Sequence, residues 1–244
     1  MPTVSIVIPA YNEEAFIGQL LERVLKVEIE SFGFYKELIV VDDGSGDATS
    51  STVRAFPGVR LIVQDHQGKG GAVQSGIREA TGDYILIQDA DLEYDPADYA
   101  AMLQELSVRG GVIYGSRTRG QFRERGWSLT PGRHPRQSLG PWVANLLLTL
   151  WTFLLYGKWI TDMLTGYRIY PRRVFSRIDV VTTGFETDHE ITAKLIRLGI
   201  PIHEVPISFA PRSAKEGKKI RPRDGWIAVW TLLRFRFKNP ARVP

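Results

Sequence analysis

The chain has 244 residues, 43% of them hydrophobic and 24% charged, with a net charge of +4 and no cysteine. That is enough apolar residue to bury a core in one large domain, and it excludes a disordered chain, a disulfide framework and a thiolate metal site. The charge is divided: residues 1–108 carry 7 Lys+Arg against 18 Asp+Glu, and residues 109–244 carry 24 against 9. An acidic half suited to a cation therefore precedes a basic half suited to an anionic partner such as a phosphorylated lipid, a membrane surface or a nucleic acid.

Met1-Pro2-Thr3 runs straight into an apolar segment, without the basic start and small-residue cleavage site of a secretory leader, so a cytosolic location is the expectation. Residues 4–8 read as a buried strand that ends in Pro9-Ala10-Tyr11-Asn12-Glu13. Phe16, Leu20, Leu21, Val24 and Leu25 then recur at helical spacing. A second strand, 38–41, ends in Asp42-Asp43-Gly44-Ser45, and a third, 61–63, leads to Gly68-Lys69-Gly70-Gly71. Ala72, Val73, Gly76, Ile77 and Ala80 mark the next helix. Strand 84–87 closes on Asp89-Ala90-Asp91, Tyr99, Met102, Leu103 and Leu106 mark a further helix, and 112–114 is a fifth strand. Short β-branched runs alternating with amphipathic stretches predict a parallel α/β sheet covered on both faces, with its ligand crevice beyond the carboxyl ends of the strands.

Four polar clusters thus converge on one sheet edge. Asp89 and Asp91 alternate in an extended segment, so both carboxylates can face one hard cation and leave coordination sites for phosphates. A donor-rich glycine turn, a lysine and several acids together point to a nucleotide site. A dinucleotide-binding oxidoreductase is excluded, because no glycine lies in residues 9–13, and so is a Walker A loop, because the glycines around Lys69 have the wrong spacing.

In the second half, residues 137–157 carry no formal charge and reach transmembrane length. A single crossing would separate the later motifs from the metal acids, so the run reads as an interfacial or partner-packing helix; a spanning helix and an ordinary core helix are the other readings. Residues 226–238 mix Trp, aliphatic and basic residues, as a headgroup-lying helix would. Residues 212–219 read as a mobile basic loop. Glu186, Asp188 and Glu190 open a helical pattern and suit its dipole, while His189 and His203 read as structural.

The runs Val7-Ile8-Pro9-Ala10-Tyr11-Asn12-Glu13, Val41-Asp42-Asp43-Gly44-Ser45, Gly68-Lys69-Gly70 and Gln88-Asp89-Ala90-Asp91-Leu92-Glu93 resemble the inverting glycosyltransferases of family 2. The likeness continues through Gly115-Ser116-Arg117, Asp162 to Arg168, Gly184-Phe185-Glu186 and Glu204-Val205-Pro206-Ile207, and is strongest to the dolichyl-phosphate mannose synthase and dolichyl-phosphate glucosyltransferase group. It implies a GT-A fold with C-terminal amphipathic, membrane-associated helices. Residues 1–136 would be the nucleotide-sugar and metal part, and 137–244 the acceptor and membrane-interface part of the same catalytic domain. Pro9, Tyr11, Glu13, Asp42 and Asp43 would line the nucleoside pocket, with Lys69 near it and Ala90 beside the donor. Asp89 and Asp91, assisted by Glu93, would hold Mg²⁺ or Mn²⁺.

The resemblance further implies transfer of mannose or glucose from GDP-mannose or UDP-glucose to a polyprenyl or dolichyl monophosphate. A phosphate monoester has a second pKa of about 6, so the acceptor needs positioning more than a base. Arg117 is the first candidate clamp for that phosphate, followed by Arg133, Arg136, Ser138 and Arg168, with Arg212 and Lys219 in a candidate lid. Asp91, Arg117 and Asp188 are the expected catalytic residues. The implied partners are the nucleotide sugar, the lipid phosphate, the cytoplasmic face of a membrane and a membrane-protein subunit. A non-lipid acceptor in polysaccharide synthesis and a sugar nucleotidyltransferase are the alternatives. A nucleic-acid binder would leave the acidic clusters unexplained.

Overall fold

The computed structural model describes residues 1–126, 130, 132–212 and 222–238. A seven-stranded sheet with the order β3-β2-β1-β4-β6-β5-β7 forms its centre. The strands are β1 (Thr3–Ala10), β2 (Tyr35–Asp42), β3 (Val59–Val63), β4 (Tyr84–Ile87), β5 (Val112–Ser116), β6 (Arg168–Pro171) and β7 (Ile202–Pro206). Pairing is parallel except around β6, which runs antiparallel between β4 and β5. The five strands expected from sequence are present, and the mostly parallel, helix-flanked α/β architecture is the expected one.

Strands β6 and β7 were not legible from periodicity. Arg168-Ile169-Tyr170-Pro171 is buried at every position, so it lacks the in-out alternation of a half-exposed strand. Its place is set by partners: Ile169 lies opposite Leu86 on one side and Ile113 on the other.

Helices α1 (Ile17–Lys26), α2 (Thr49–Arg54), α3 (Lys69–Glu79), α4 (Tyr99–Arg109), α5 (Arg117–Arg125), α6 (Leu139–Tyr156), α7 (Thr187–Arg197) and α8 (Pro222–Phe237) cover the sheet. Alternation along β1 divides the core in two. Val4, Ile6 and Ile8 pack with Leu20 and Leu21 of α1 and Met102 of α4, whereas Val7 packs with Ala72 of α3, Ile191 of α7 and Leu232 of α8. Helix α3 sits so close to β1 that a Cβ at Gly76 would fall 2.2 Å from Val7 Cγ1.

Helix α6 has its polarity reversed. Its buried residues are Asn145, Leu148, Thr149 and Thr152, while Val143, Leu146, Leu147, Leu150, Phe153 and Leu154 are exposed. That pattern does not fit an ordinary core helix. Along one side it docks on α8, where Trp151 Nε1 donates to the Val229 carbonyl (3.2 Å), Tyr156 Oη to that of Leu232 (2.5 Å) and Arg236 Nε to that of Leu155 (2.7 Å).

Candidate active site

The carboxyl ends of β1, β2, β4 and β5 meet the starts of α3 and α7 around a cavity of about 690 Å³. The sequence-predicted residues Pro9, Tyr11, Glu13 and Asp43 lie on its wall. So do Lys69, Asp89, Ala90, Asp91 and Glu93, together with Arg117, Asp188 and Arg212. The wall turns apolar towards α6, where Leu148, Met163 and Leu164 complete it.

Backbone geometry aims the acids. Leu92, between Asp91 and Glu93, has φ +58°, a conformation costly for a branched side chain and found where surrounding structure enforces it. Gly166 leaves the space the acids need, since a Cβ there would lie 2.4 Å from Asp89 Oδ2 and 2.9 Å from Lys69 Nζ.

Positive and negative groups alternate through the site. Lys69 Nζ is 2.7 Å from Asp89 Oδ1 and 3.9 Å from Asp188 Oδ2, and Asp188 Oδ1 is 3.6 Å from Arg168 Nη1. Burial works against the Lys69 ammonium, but Asp89 and Asp188 outweigh it and hold its pKa above the usual lysine value. Arg212 places Nη2 2.8 Å from Asp91 Oδ2 and Nη1 3.5 Å from Glu13 Oε2. Burial, then the neighbouring carboxylates of Asp89 and Glu93, pushes the Asp91 carboxyl up to about 7 against the opposing pull of Arg212.

Several expected residues take other positions. Asp42 does not line the cavity; it is buried in its turn, where it accepts from the Ser45 N–H (2.9 Å) and the Ser50 hydroxyl. Arg168 is fully buried beneath the site, donating from Nε to the Thr165 carbonyl (2.9 Å) and from Nη1 to the Asp188 carbonyl (2.8 Å) and Thr192 Oγ1 (3.0 Å). It supports Asp188 and cannot meet a ligand phosphate there. Arg133, Arg136 and Ser138 also lie off the wall; Arg133 Nε donates to the Gln137 carbonyl (2.9 Å), and Arg136 and Ser138 are exposed. Lys219 and most of the expected 212–219 loop lie outside the described residues.

Arg117 does reach the cavity, but its charge is matched. Asp162 takes Nε and Nη2, both at 2.7 Å, and the Arg117 backbone N–H at 2.9 Å, while the Phe209 ring lies 4.9 Å from Arg117 Cζ. Burial opposes the guanidinium, yet Asp162 holds it firmly charged. Asp162 is thus a partner that spacing along the chain could not reveal, 45 residues from Arg117.

Two further wall residues escaped the sequence reading. His66 stacks on Tyr11 with ring centroids 4.2 Å apart, and Tyr94 Oη accepts from the Gly166 N–H at 3.1 Å. Burial pushes the Tyr94 hydroxyl up to about 12, so it stays protonated. A lone histidine in a loop beyond a strand end was the only available signal for His66. His189, read as structural, is buried on the cavity wall, and burial followed by the Arg168 charge lowers its pKa to about 4.

The donor set fits a hard divalent cation. Asp89 and Asp91 supply carboxylate oxygens in a crowded acidic setting that already draws an ammonium and a guanidinium. Glu93, expected as a third acid, instead accepts the Arg212 N–H through Oε1 (2.8 Å), and no three acidic or histidine side chains gather as a cage among the described residues. Two carboxylates with substrate phosphates completing the shell are the usual provision for Mg²⁺.

Residues 5–178 match the family described as Glycosyl transferase family 2. The chain is 33% identical over 235 residues to the low-salt glycan biosynthesis hexosyltransferase Agl6 of Haloferax volcanii, which covers 95% of this chain and 53% of that protein. It is 26% identical over 257 residues to the dolichyl-phosphate beta-glucosyltransferase of Dictyostelium discoideum, covering 96% and 74%. Over 111 residues it is 40% identical to the dodecaprenyl-phosphate galacturonate synthase of Rhizobium johnstonii, covering 43% and 32%. The chain therefore spans about half the length of Agl6 and about a third of the galacturonate synthase. Among solved structures it shares its fold with glucosyl-3-phosphoglycerate synthase from Mycobacterium tuberculosis in complex with Mn²⁺, UDP and phosphoglyceric acid, at a TM-score of 0.69 and 22% identity over 97% of this chain and 79% of that one.

Proposed function

The chain belongs to glycosyl transferase family 2, and from that premise we propose that it moves a hexose from a nucleotide sugar, UDP-glucose or GDP-mannose, to a polyprenyl or dolichyl monophosphate at a membrane surface. The observation that carries this reading is one cavity that joins the Asp89/Asp91 pair to Pro141, Ala144 and Leu148 of α6, a helix whose outer side is a field of exposed Leu and Phe. The names of two relatives, a dolichyl-phosphate glucosyltransferase and a dodecaprenyl-phosphate galacturonate synthase, support a lipid-phosphate acceptor.

In this reading residues 1–136 hold the donor and 137–244 the acceptor. Pro9, Tyr11, Glu13 and Asp43 frame the nucleoside end, and Asp89 and Asp91 would hold Mg²⁺ or Mn²⁺. Bound there, the cation would offset the charge of the donor diphosphate. The acceptor phosphate is largely dianionic at neutral pH, so it attacks without a protein base. Its oxygen forms a bond to the anomeric carbon as the bond to the diphosphate oxygen breaks, the configuration inverts and a nucleoside diphosphate leaves. Lys69 and Arg212 supply the positive charge that this meeting of anions requires. Arg117, held by Asp162, stiffens the wall and adds charge to the field. Asp188, set between Lys69 and Arg168, keeps the Lys69 ammonium turned into the cavity.

Helix α8, packed against α6, exposes Trp226, Ile227, Trp230 and Phe237, and Arg234, Arg236 and Lys238 lie close to them in sequence. That mixture supports peripheral binding at the cytoplasmic face of an anionic membrane; a membrane-protein subunit is the alternative occupant. The test is hexose transfer to polyprenyl phosphate in the presence of Mn²⁺, with UDP-glucose and GDP-mannose in parallel. Lipid-linked product should form with one donor and fall about 10²-fold or more in Asp91→Ala. Transfer only to water-soluble phosphorylated acceptors would refute the lipid reading.

A further inference from the structure

Asp43 has no acceptor capacity left for a ligand. Its Oδ1 accepts from Gln64 Nε2 (2.7 Å) and the Gln67 N–H (2.9 Å), its Oδ2 accepts from the Gly68 N–H (2.8 Å), and His66 Nδ1 lies 2.8 Å from the same Oδ2. Two oxygens with about four lone-pair sites are thereby saturated, and the side chain is only 3% exposed. The acid organises the 64–68 loop instead of facing the cavity as a free carboxylate.

Its effect on His66 is specific. Nδ1 faces two acceptors, the Asp43 carboxylate and, at 3.1 Å, the Asp43 carbonyl, so it carries the hydrogen. In the neutral ring the lone pair then resides on Nε2. Among the described residues no hydrogen bond reaches Nε2, and the side chain is 54% exposed on the wall of the cavity that holds Asp89 and Asp91. The Tyr11 ring, stacked at 4.2 Å and 29°, fixes the imidazole plane. An oriented ring with a single outward acceptor, backed by a second aromatic ring, has the chemistry of a base reader.

We propose that His66 selects the donor nucleotide, its Nε2 accepting the ring N–H of uracil or guanine edge to edge while Tyr11, stacked on the imidazole, holds the ring in that plane. Cytosine and adenine carry a bare ring nitrogen at that edge and would set lone pair against lone pair. The inference rests on the nucleotide-sugar reading of the site and names the residue that discriminates within it.

Isothermal titration of the full chain with UDP, GDP, N3-methyl-UDP and N1-methyl-GDP at saturating Mn²⁺ tests it. Methylating the accepted nitrogen of the preferred nucleotide should weaken binding about 10-fold or more in the wild type, equivalent to about 1.4 kcal/mol. In His66→Ala the penalty should shrink to about 2-fold, because the acceptor that reads the N–H is gone. His66→Phe, which keeps a ring against Tyr11, replaces the alanine variant if thermal melting shows the latter unfolded. A penalty that persists in these variants, or a wild type indifferent to methylation, overturns the assignment while leaving the glycosyl-transfer reading in place. Failure of every nucleotide to bind overturns both.

Discussion

His189 should make the stability of the fold depend on pH in a calculable way. His189 is 4% exposed, and neither ring nitrogen has a hydrogen bond that meets distance and angle limits among the described residues. Burial, then the Arg168 charge, lowers its pKa from 6.5 to about 4, against a smaller opposing pull from Asp188. The unfolded chain therefore binds a proton at this residue below about pH 6.5, whereas the folded chain resists it until about pH 4. Between those values the unfolded state holds more protons, so stability rises with pH: the contribution is complete above pH 6.5 and is lost as pH falls towards 4. Integrated from pH 7.5 to 4.5, the loss is on the order of 2 to 3 kcal/mol. Urea unfolding followed by tryptophan fluorescence across that range, on the wild type and His189→Leu, isolates the term, because all other titrating groups are shared. The wild type should lose roughly 2 to 3 kcal/mol more than the variant on acidification. Parallel pH profiles, differing by less than about 0.5 kcal/mol, would refute the argument.

The Arg117–Asp162 pair is buried and bidentate, so Asp162→Asn should cost about 3 kcal/mol by leaving the guanidinium without its counter-charge. Adding Arg117→Met should recover part of that loss, and strict additivity in urea melts would show that the two side chains do not act as a pair. On the outer face of α6, Leu147→Ser/Leu154→Ser changes two residues that are 59% and 66% exposed. Co-flotation with anionic vesicles should drop several-fold while the melting temperature stays put; undiminished flotation would place the lipid-binding surface elsewhere.

Chain-local features determined much of this protein. The alternating strand and helix patterns, the strand-end clusters and the Asp89-Ala90-Asp91 turn depend on contacts within a few residues and on the period of the backbone, so they could be read from order alone. They placed β1 to β5 and named Glu13, Asp43, Lys69, Asp89, Asp91 and Glu93 on the cavity wall. Tertiary structure decided what order cannot carry. It inserted the short, wholly buried β6 between β4 and β5, because antiparallel pairing is chosen by neighbours distant in sequence. It divided the arginines by burial and partner: Arg168 went beneath Asp188, Arg117 to Asp162, and Arg212 across the fold to Asp91, pairings separated by 20, 45 and 121 residues. It also saturated Asp43 with four donors and so turned a solitary histidine outward. A side chain's type states which bonds it can make, but only the packed fold determines which of them are already made.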